Sequence, residues 1–245
     1  MASSNGRSVL IINPNTTQAM TDALKPLVHS LGYETTRFNF FTAPSGVPSI
    51  NNEDDAAISA KACLPVLMEQ LGDYDAFLVC CYSQHPLVAV LRSEIAKAGF
   101  RKPVSGIFEA SVASCLQGIN AADKFGIVST GSQWEVILAD AVTDLLGSSA
   151  STRYAGTKTT GLNADELHST PMGEVDARMK AAVKKLLQLG TTAICLGCAG
   201  MAGMDQTVRE ACVEHLGEVE GQRIMIVDGV VSGVVYLEGS LRSMS

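Results

Sequence analysis

Short apolar runs alternate with helix-forming stretches along the whole of this 245-residue chain. That alternation limits the fold more than any other feature, because it is the pattern of an α/β domain with a mainly parallel sheet. The runs predict strands at about 8–13, 35–40, 75–81, 103–108, 125–129, 152–156, 192–197 and 223–227. Helices are expected near 16–31, 53–71, 86–98, 110–120, 132–146, 174–189, 205–216 and 229–240. Residues 147–171, rich in small side chains, read as a weak strand and then a polar loop, the best candidate for a covering or mobile element.

The pattern is doubled. Phe77-Leu78-Val79-Cys80-Cys81 runs into Tyr82-Ser83, and Ile194-Cys195-Leu196-Gly197-Cys198 runs into Ala199-Gly200. Cys81 and Cys198 are 117 positions apart (198 − 81), and the same offset carries Asn13 to Thr130. Ile107-Phe108-Glu109-Ala110 likewise resembles Ile226-Val227-Asp228-Gly229. These matches predict two similar doubly wound, flavodoxin-like parallel-sheet subdomains related by a pseudo-twofold axis. The division expected is 1–105 plus 220–245 against 106–219. Ligands of open parallel sheets bind outside the carboxyl ends of the strands. The site is therefore expected between the halves, with Asn13, Cys81 and Glu109 opposite Thr130, Cys198 and Asp228.

A chain that is 47% hydrophobic and 18% charged belongs with compact globular proteins. A net charge of −7 and the lack of any dense Lys/Arg cluster argue against nucleic acid and anionic membranes as partners. Small-molecule chemistry is the better expectation. The polar start, Met1 to Arg7, lacks the apolar core of a signal peptide, and no run reaches the roughly 18 apolar residues that span a bilayer. Seven cysteines, an odd number with Cys80 and Cys81 adjacent, make a poor disulfide framework. A reducing, cytoplasmic setting is expected.

Cys63, Cys115 and Cys212 fall on helices and read as small buried hydrophobes, and Cys195 reads as core. Cys80 and Cys81 alternate along a strand, so only one faces a site at the strand end, and Cys81 is the better placed. Cys198, between Gly197 and Ala199-Gly200, leaves its strand where backbone can approach a ligand. Two facing sulfurs suit a proton removed from one face of a carbon and returned to the other. A thiol acts as a base only as thiolate, from an ordinary pKa of about 8.5. Amides of the following helices are expected to lower that value and to hold a substrate carbonyl.

Other chemistries find less support. Cys195-Leu196-Gly197-Cys198 is a C-x-x-C, but its first cysteine lies inside a strand and no second ligand pair accompanies it, so neither redox nor zinc chemistry is favoured. Gly197 to Gly203 lacks the G-x-G-x-x-G spacing and no P-loop lysine follows, so no nucleotide is expected. No serine sits in a G-x-S-x-G elbow. No cofactor and no metal are expected. His85 is read as a solvated helix-start residue, with contact to substrate or to Cys81 as alternatives. In Asn13-Pro14-Asn15-Thr16-Thr17, Asn15 or Thr16 is expected to cap a helix, while the Asn13 amide suits a ureide or imide ligand.

Ile12 to Thr17, Cys81-Tyr82-Ser83, Gly106 to Ala110, Gly126 to Trp134 and Leu196 to Met201 together resemble the hydantoin racemase family of the aspartate/glutamate racemase superfamily. Cys81 to Leu87 is most similar to its fungal, Dcg1-like branch; bacterial members tend to carry C-[FY]-G-D-P-G-L there. The resemblance implies cofactor-independent racemisation of a 5-substituted hydantoin or allantoin by the pair Cys81 and Cys198. It implies that Asn13, Tyr82, Ser83, Thr130, Gly131, Ala199 and Gly200 surround the substrate, with Ile50 on a loop near the site. It also implies a homo-oligomer. Alternatives that keep the fold are a single-cysteine isomerase, a decarboxylase, a ureide hydrolase or a non-catalytic ureide sensor.

Overall fold

The computed structural model describes residues 6–244, so the polar residues 1–5 read above lie outside it. Strands β1 (Arg7–Asn13), β2 (Thr36–Thr42), β3 (Ala76–Val79) and β4 (Val104–Gly106) form one parallel sheet in the order β2-β1-β3-β4. Strands β5 (Lys124–Ser129), β6 (Tyr154–Thr159), β7 (Thr191–Leu196) and β8 (Met225–Asp228) form a second in the order β6-β5-β7-β8. The second order repeats the first strand for strand. The doubled doubly wound α/β fold read from the sequence is the fold observed.

Ten helices join the strands among the described residues. In the first half they are α1 (Gln18–Ser30), α2 (Glu53–Glu69), α3 (Pro86–Lys97) and α4 (Ile107–Gly118). In the second they are α5 (Trp134–Leu146), α6 (Glu166–Ser169), α7 (Met172–Gln188), α8 (Asp205–Leu216), α9 (Glu218–Arg223) and α10 (Gly229–Ser243). The starts follow local capping chemistry. Asn52 accepts the Asp55 N–H at 2.8 Å, and Asp228 accepts those of Val230 and Val231 at 2.7 and 3.1 Å. The short helices α6 and α9 were not expected from periodicity, which needs more than one or two turns to register. No helix among the described residues is long and apolar enough to cross a membrane.

Both sheets are covered on both faces, which is why their strands read as continuous apolar runs. Leu10, Ile12, Phe77 and Val79 pack outward under α2 and α3. Val9, Ile11 and Leu78 turn the other way, into a core shared with Phe125, Ile127 and Trp134 of the second half. The last helices are exchanged. Helix α4 packs on β7 and β8 of the second sheet as well as on β4, and α10 packs on β3 and β4 of the first. Residues 220–245, assigned from the sequence to the first half, thus divide: β8 lies in the second sheet and α10 covers the first.

Register refines the doubling. The Cys80 N–H donates to the Ile12 carbonyl at 2.8 Å, and the Gly197 N–H donates to that of Val128 at 2.7 Å. Cys81 and Cys198 are therefore structural counterparts. The counterpart of Asn13 is Ser129 rather than Thr130: the Ala43 N–H donates to the Asn13 carbonyl at 3.1 Å and the Thr160 N–H to the Ser129 carbonyl at 2.9 Å. Strand β4 ends at Gly106, which caps α4, so Glu109 occupies the first turn of that helix instead of a strand end. By cap position, the counterpart of Asp228 is Gly106.

Candidate active site

A cleft between the two sheets' carboxyl ends encloses about 640 Å³ of non-atom space, its solvent mouth included. Cys81 and Cys198 line it, as do Asn13, Ile50, Tyr82, Thr130, Ala199 and Gly200. Ser83 lies in a neighbouring cavity and brings its Oγ to 3.4 Å from the Cys81 sulfur. Gly131 lies beside the Gln133 amide, which a Cβ there would have to displace. Met20, Leu24, Trp134 and Ala164 also line the cleft and were not singled out from the sequence. Met20 and Leu24 share a face of α1 by their i, i+4 spacing, and Ala164 comes from the expected covering loop, anchored by buried Leu162 and Leu167.

Strand β3 ends at Val79 rather than at 81, because its ladder with β4 stops at the Val79–Gly106 pair. Alternation nevertheless continues one step: Cys80 is buried and Cys81 half-buried. Cys198 is extended, and its sulfur accepts the Gly200 N–H at 3.3 Å from the short 3-10 turn Ala199–Met201. Gly197 is required before it, since a Cβ there would lie 2.6 Å from both the Val128 carbonyl oxygen and Ile127 Cγ2.

The expected lowering of the thiol pKa values is overturned. Burial pushes the Cys81 thiol up to about 12 against a contact from Ser83, and a charge on Cys198 raises it further. Burial pushes Cys198 up to about 11, although the Gly200 and Met201 N–H groups act in the opposite direction. Helix α3 starts only at Pro86, too far along to offer Cys81 its amides, so desolvation wins. Both thiols rest protonated, and a charge on one opposes a charge on the other.

Two of the strand-exit amides expected to hold a carbonyl are engaged within the protein. The Gly200 N–H is taken by the Cys198 sulfur and the Ser83 N–H by the Cys81 carbonyl at 3.0 Å. Tyr82 packs edge-on to Phe108, with ring centroids 5.7 Å apart, and its hydroxyl bonds Ser111 Oγ at 2.7 Å. Its phenol is thereby engaged inside the protein. His85 begins α3, as expected, with Nδ1 accepting the Leu87 N–H at 3.2 Å, but it is buried, not solvated. Burial lowers its pKa to about 4, so the ring is neutral at neutral pH.

The bland readings of the remaining cysteines match their burial: Cys63, Cys115, Cys195 and Cys212 are all fully buried. Cys195 meets Cys115, sulfur to sulfur, at 3.3 Å, while Cys198 faces the cleft, so the C-x-x-C does not act as one pair. No Lys, Arg, Asp, Glu or His is among the described residues that line the cleft.

Two matched parallel-sheet halves thus place a free thiol at the same ladder step of each, facing a shared cleft. The chain belongs to the Asp/Glu/Hydantoin racemase family, whose model matches residues 9–237. An uncharacterized protein of Schizosaccharomyces pombe is 34% identical to it over 96% of this chain and 92% of its own length. The DCG1 protein of Saccharomyces cerevisiae is 29% identical over 80% and 83% respectively, in keeping with the fungal resemblance. An allantoin racemase from Klebsiella pneumoniae superposes with a TM-score of 0.79 at 24% identity, covering 97% of this chain and 88% of that one.

Proposed function

We propose that this isomerase racemises an uncharged cyclic ureide, a 5-substituted hydantoin or allantoin, by proton transfer between Cys81 and Cys198 without a cofactor. The observation that carries this reading is the cleft itself: two counterpart thiols open into it, and no charged side chain among the described residues lines it. An amino-acid substrate would bring an ammonium and a carboxylate, and burying those unpaired costs several kcal/mol each. A ureide brings none, and its C5–H is acidified by the adjacent carbonyl.

In the proposed turnover one sulfur, as thiolate, takes the C5 proton, and the charge passes to the carbonyl oxygen. The opposite thiol then returns a proton to the other face. The sulfurs end with exchanged protonation, so the enzyme is ready for the reverse enantiomer. The mutual repulsion of the two thiolates favours one charge per site. The family relationship and the allantoin racemase neighbour support the substrate class. A reducing cytoplasmic setting, suggested by the cysteine usage, and a homo-oligomer, suggested by the family resemblance, belong to the same proposal.

Incubating single enantiomers of hydantoins and of allantoin in D2O tests this reading by NMR. Deuterium should enter at C5 of either enantiomer as optical rotation decays. Binding without exchange would point to a sensor, and products other than the mirror image would point to another reaction.

A further inference from the structure

The turn after β1 holds two asparagine amides against each other, and backbone groups fix which way each one points. Asn15 Oδ1 lies 2.9 Å from the Thr17 N–H, so that atom must be the acceptor. Asn13 Nδ2 lies 3.2 Å from the Thr17 carbonyl, so that atom must be the donor. Asn13 Nδ2 also reaches Asn15 Oδ1 and Thr21 Oγ1, each at 3.0 Å, and its Oδ1 accepts the Asn15 N–H at 3.3 Å. The Asn13 amide nitrogen is thus engaged inside the protein, while its oxygen accepts a single N–H and the residue lines the cleft.

Asn15 is left with the opposite arrangement. Its oxygen is occupied twice, and its nitrogen is turned to the other side. The partner there is the Met20 thioether at 3.2 Å, a weak acceptor, and both residues line the cleft. The turn is also stiff. Ser59 Oγ donates to the Pro14 carbonyl, the Ala43 N–H to the Asn15 carbonyl at 3.1 Å, and the Thr16 N–H to the Val47 carbonyl at 3.0 Å.

We propose that Asn15 Nδ2 donates the hydrogen bond that receives the charge on the carbonyl oxygen when the adjacent carbon loses its proton. This rests on the racemase reading given above. Of the strand-exit amides, the Gly200 N–H is committed to the Cys198 sulfur and the Ser83 N–H to the Cys81 carbonyl. Among the described residues no cation lines the cleft to compete. A neutral amide held by its own oxygen costs little reorganisation when charge develops, which is the condition for such a donor to act on the transition state.

Asn15→Asp is the decisive variant. It keeps an oxygen for Thr17 and Asn13 but replaces the donor with a second acceptor. Asn15→Ser accompanies it, because a serine can still serve the Thr17 N–H yet cannot reach into the cleft. With 5-methylhydantoin as probe, kcat for exchange into D2O should fall about 100-fold or more in both, as when one oxyanion donor is removed elsewhere. Thermal unfolding of at least one should match the parent protein. If the parent exchanges the probe and a folded variant keeps kcat within about threefold, the assignment of Asn15 is overturned while the racemase reading stands. If the parent protein exchanges neither this probe nor any ureide, both fall together.

Discussion

Cys81 and Cys198 occupy the same step of two matching ladders, each one residue beyond an N–H that bonds the central strand, at Ile12 and at Val128. Under the proposed mechanism neither sulfur is dispensable, since each serves one face of the substrate carbon. Cys81→Ser and Cys198→Ser should each lower racemisation by about 10²–10⁴-fold, the usual worth of a positioned acid or base. A variant that keeps full racemisation would remove its cysteine from the mechanism.

Activity should climb with alkalinity over an unusually wide range. With the thiols held near 11 and 12, the thiolate at pH 8 is present in roughly one free molecule in a thousand or fewer. The pH profile of kcat/KM is therefore expected to rise close to tenfold per unit from pH 7 to about 10. A plateau near pH 8.5 would show that burial does not govern the working thiol.

Stability should move the opposite way. Burial raises Cys63 and Cys212 to about 11 from an ordinary value near 9. The unfolded chain then releases these protons before the folded one does, so stability is fully present below pH 9 and is lost between about 9 and 11. Urea midpoints measured from pH 8 to 11 should fall, and less steeply in Cys63→Ala, after allowing for its lower starting stability.

His85 sets an acid limit of its own. Its folded pKa near 4 lies below the ordinary 6.5, so the unfolded state binds the proton first and stability drops as pH falls through that interval. Asn at this position can still accept the Leu87 N–H as a helix cap. His85→Asn should flatten the loss between pH 6.5 and 4, which thermal unfolding across that range would reveal.

Gly197 is expected to tolerate no side chain. In Gly197→Ala the new methyl meets the Val128 carbonyl, which is part of the ladder and cannot swing aside. Overpacking of this kind costs about 1–3 kcal/mol, and the displacement passes directly to Cys198. Both the unfolding midpoint and the exchange rate should fall. An unchanged rate would mean that the position of Cys198 is not critical.

All eight strands and the eight longer helices were legible, most strands as continuous apolar runs and the helices by length and period, with β6 the weakest because only Thr157 of it is buried. So was the counterpart placement of Cys81 and Cys198, which depends on strand ends of equal spacing. The partner of Asn13 was misread by one residue, since an offset along the chain does not report ladder register. The thiol pKa values and the hydrogen bonding of Asn13 and Asn15 were not legible. They depend on desolvation and on hydrogen bonds made across the fold, such as Asn13 to Thr21, which leave no spacing to read. Trp134 and Ala164 reach the cleft through packing of the second half against the first, for the same reason.

The exchange of α4 and α10 bears on how such a molecule closes its fold and how it comes apart. Each lobe is roofed by the helix that ends the other lobe's repeat, so neither repeat is complete when alone. A single half would bare a sheet face of Leu78 or Val227 to water. The two repeats are thus expected to melt as one cooperative unit, not as two. A single repeat of this kind could close its fold only by pairing with a second copy of itself, and the present chain supplies both copies in one polypeptide.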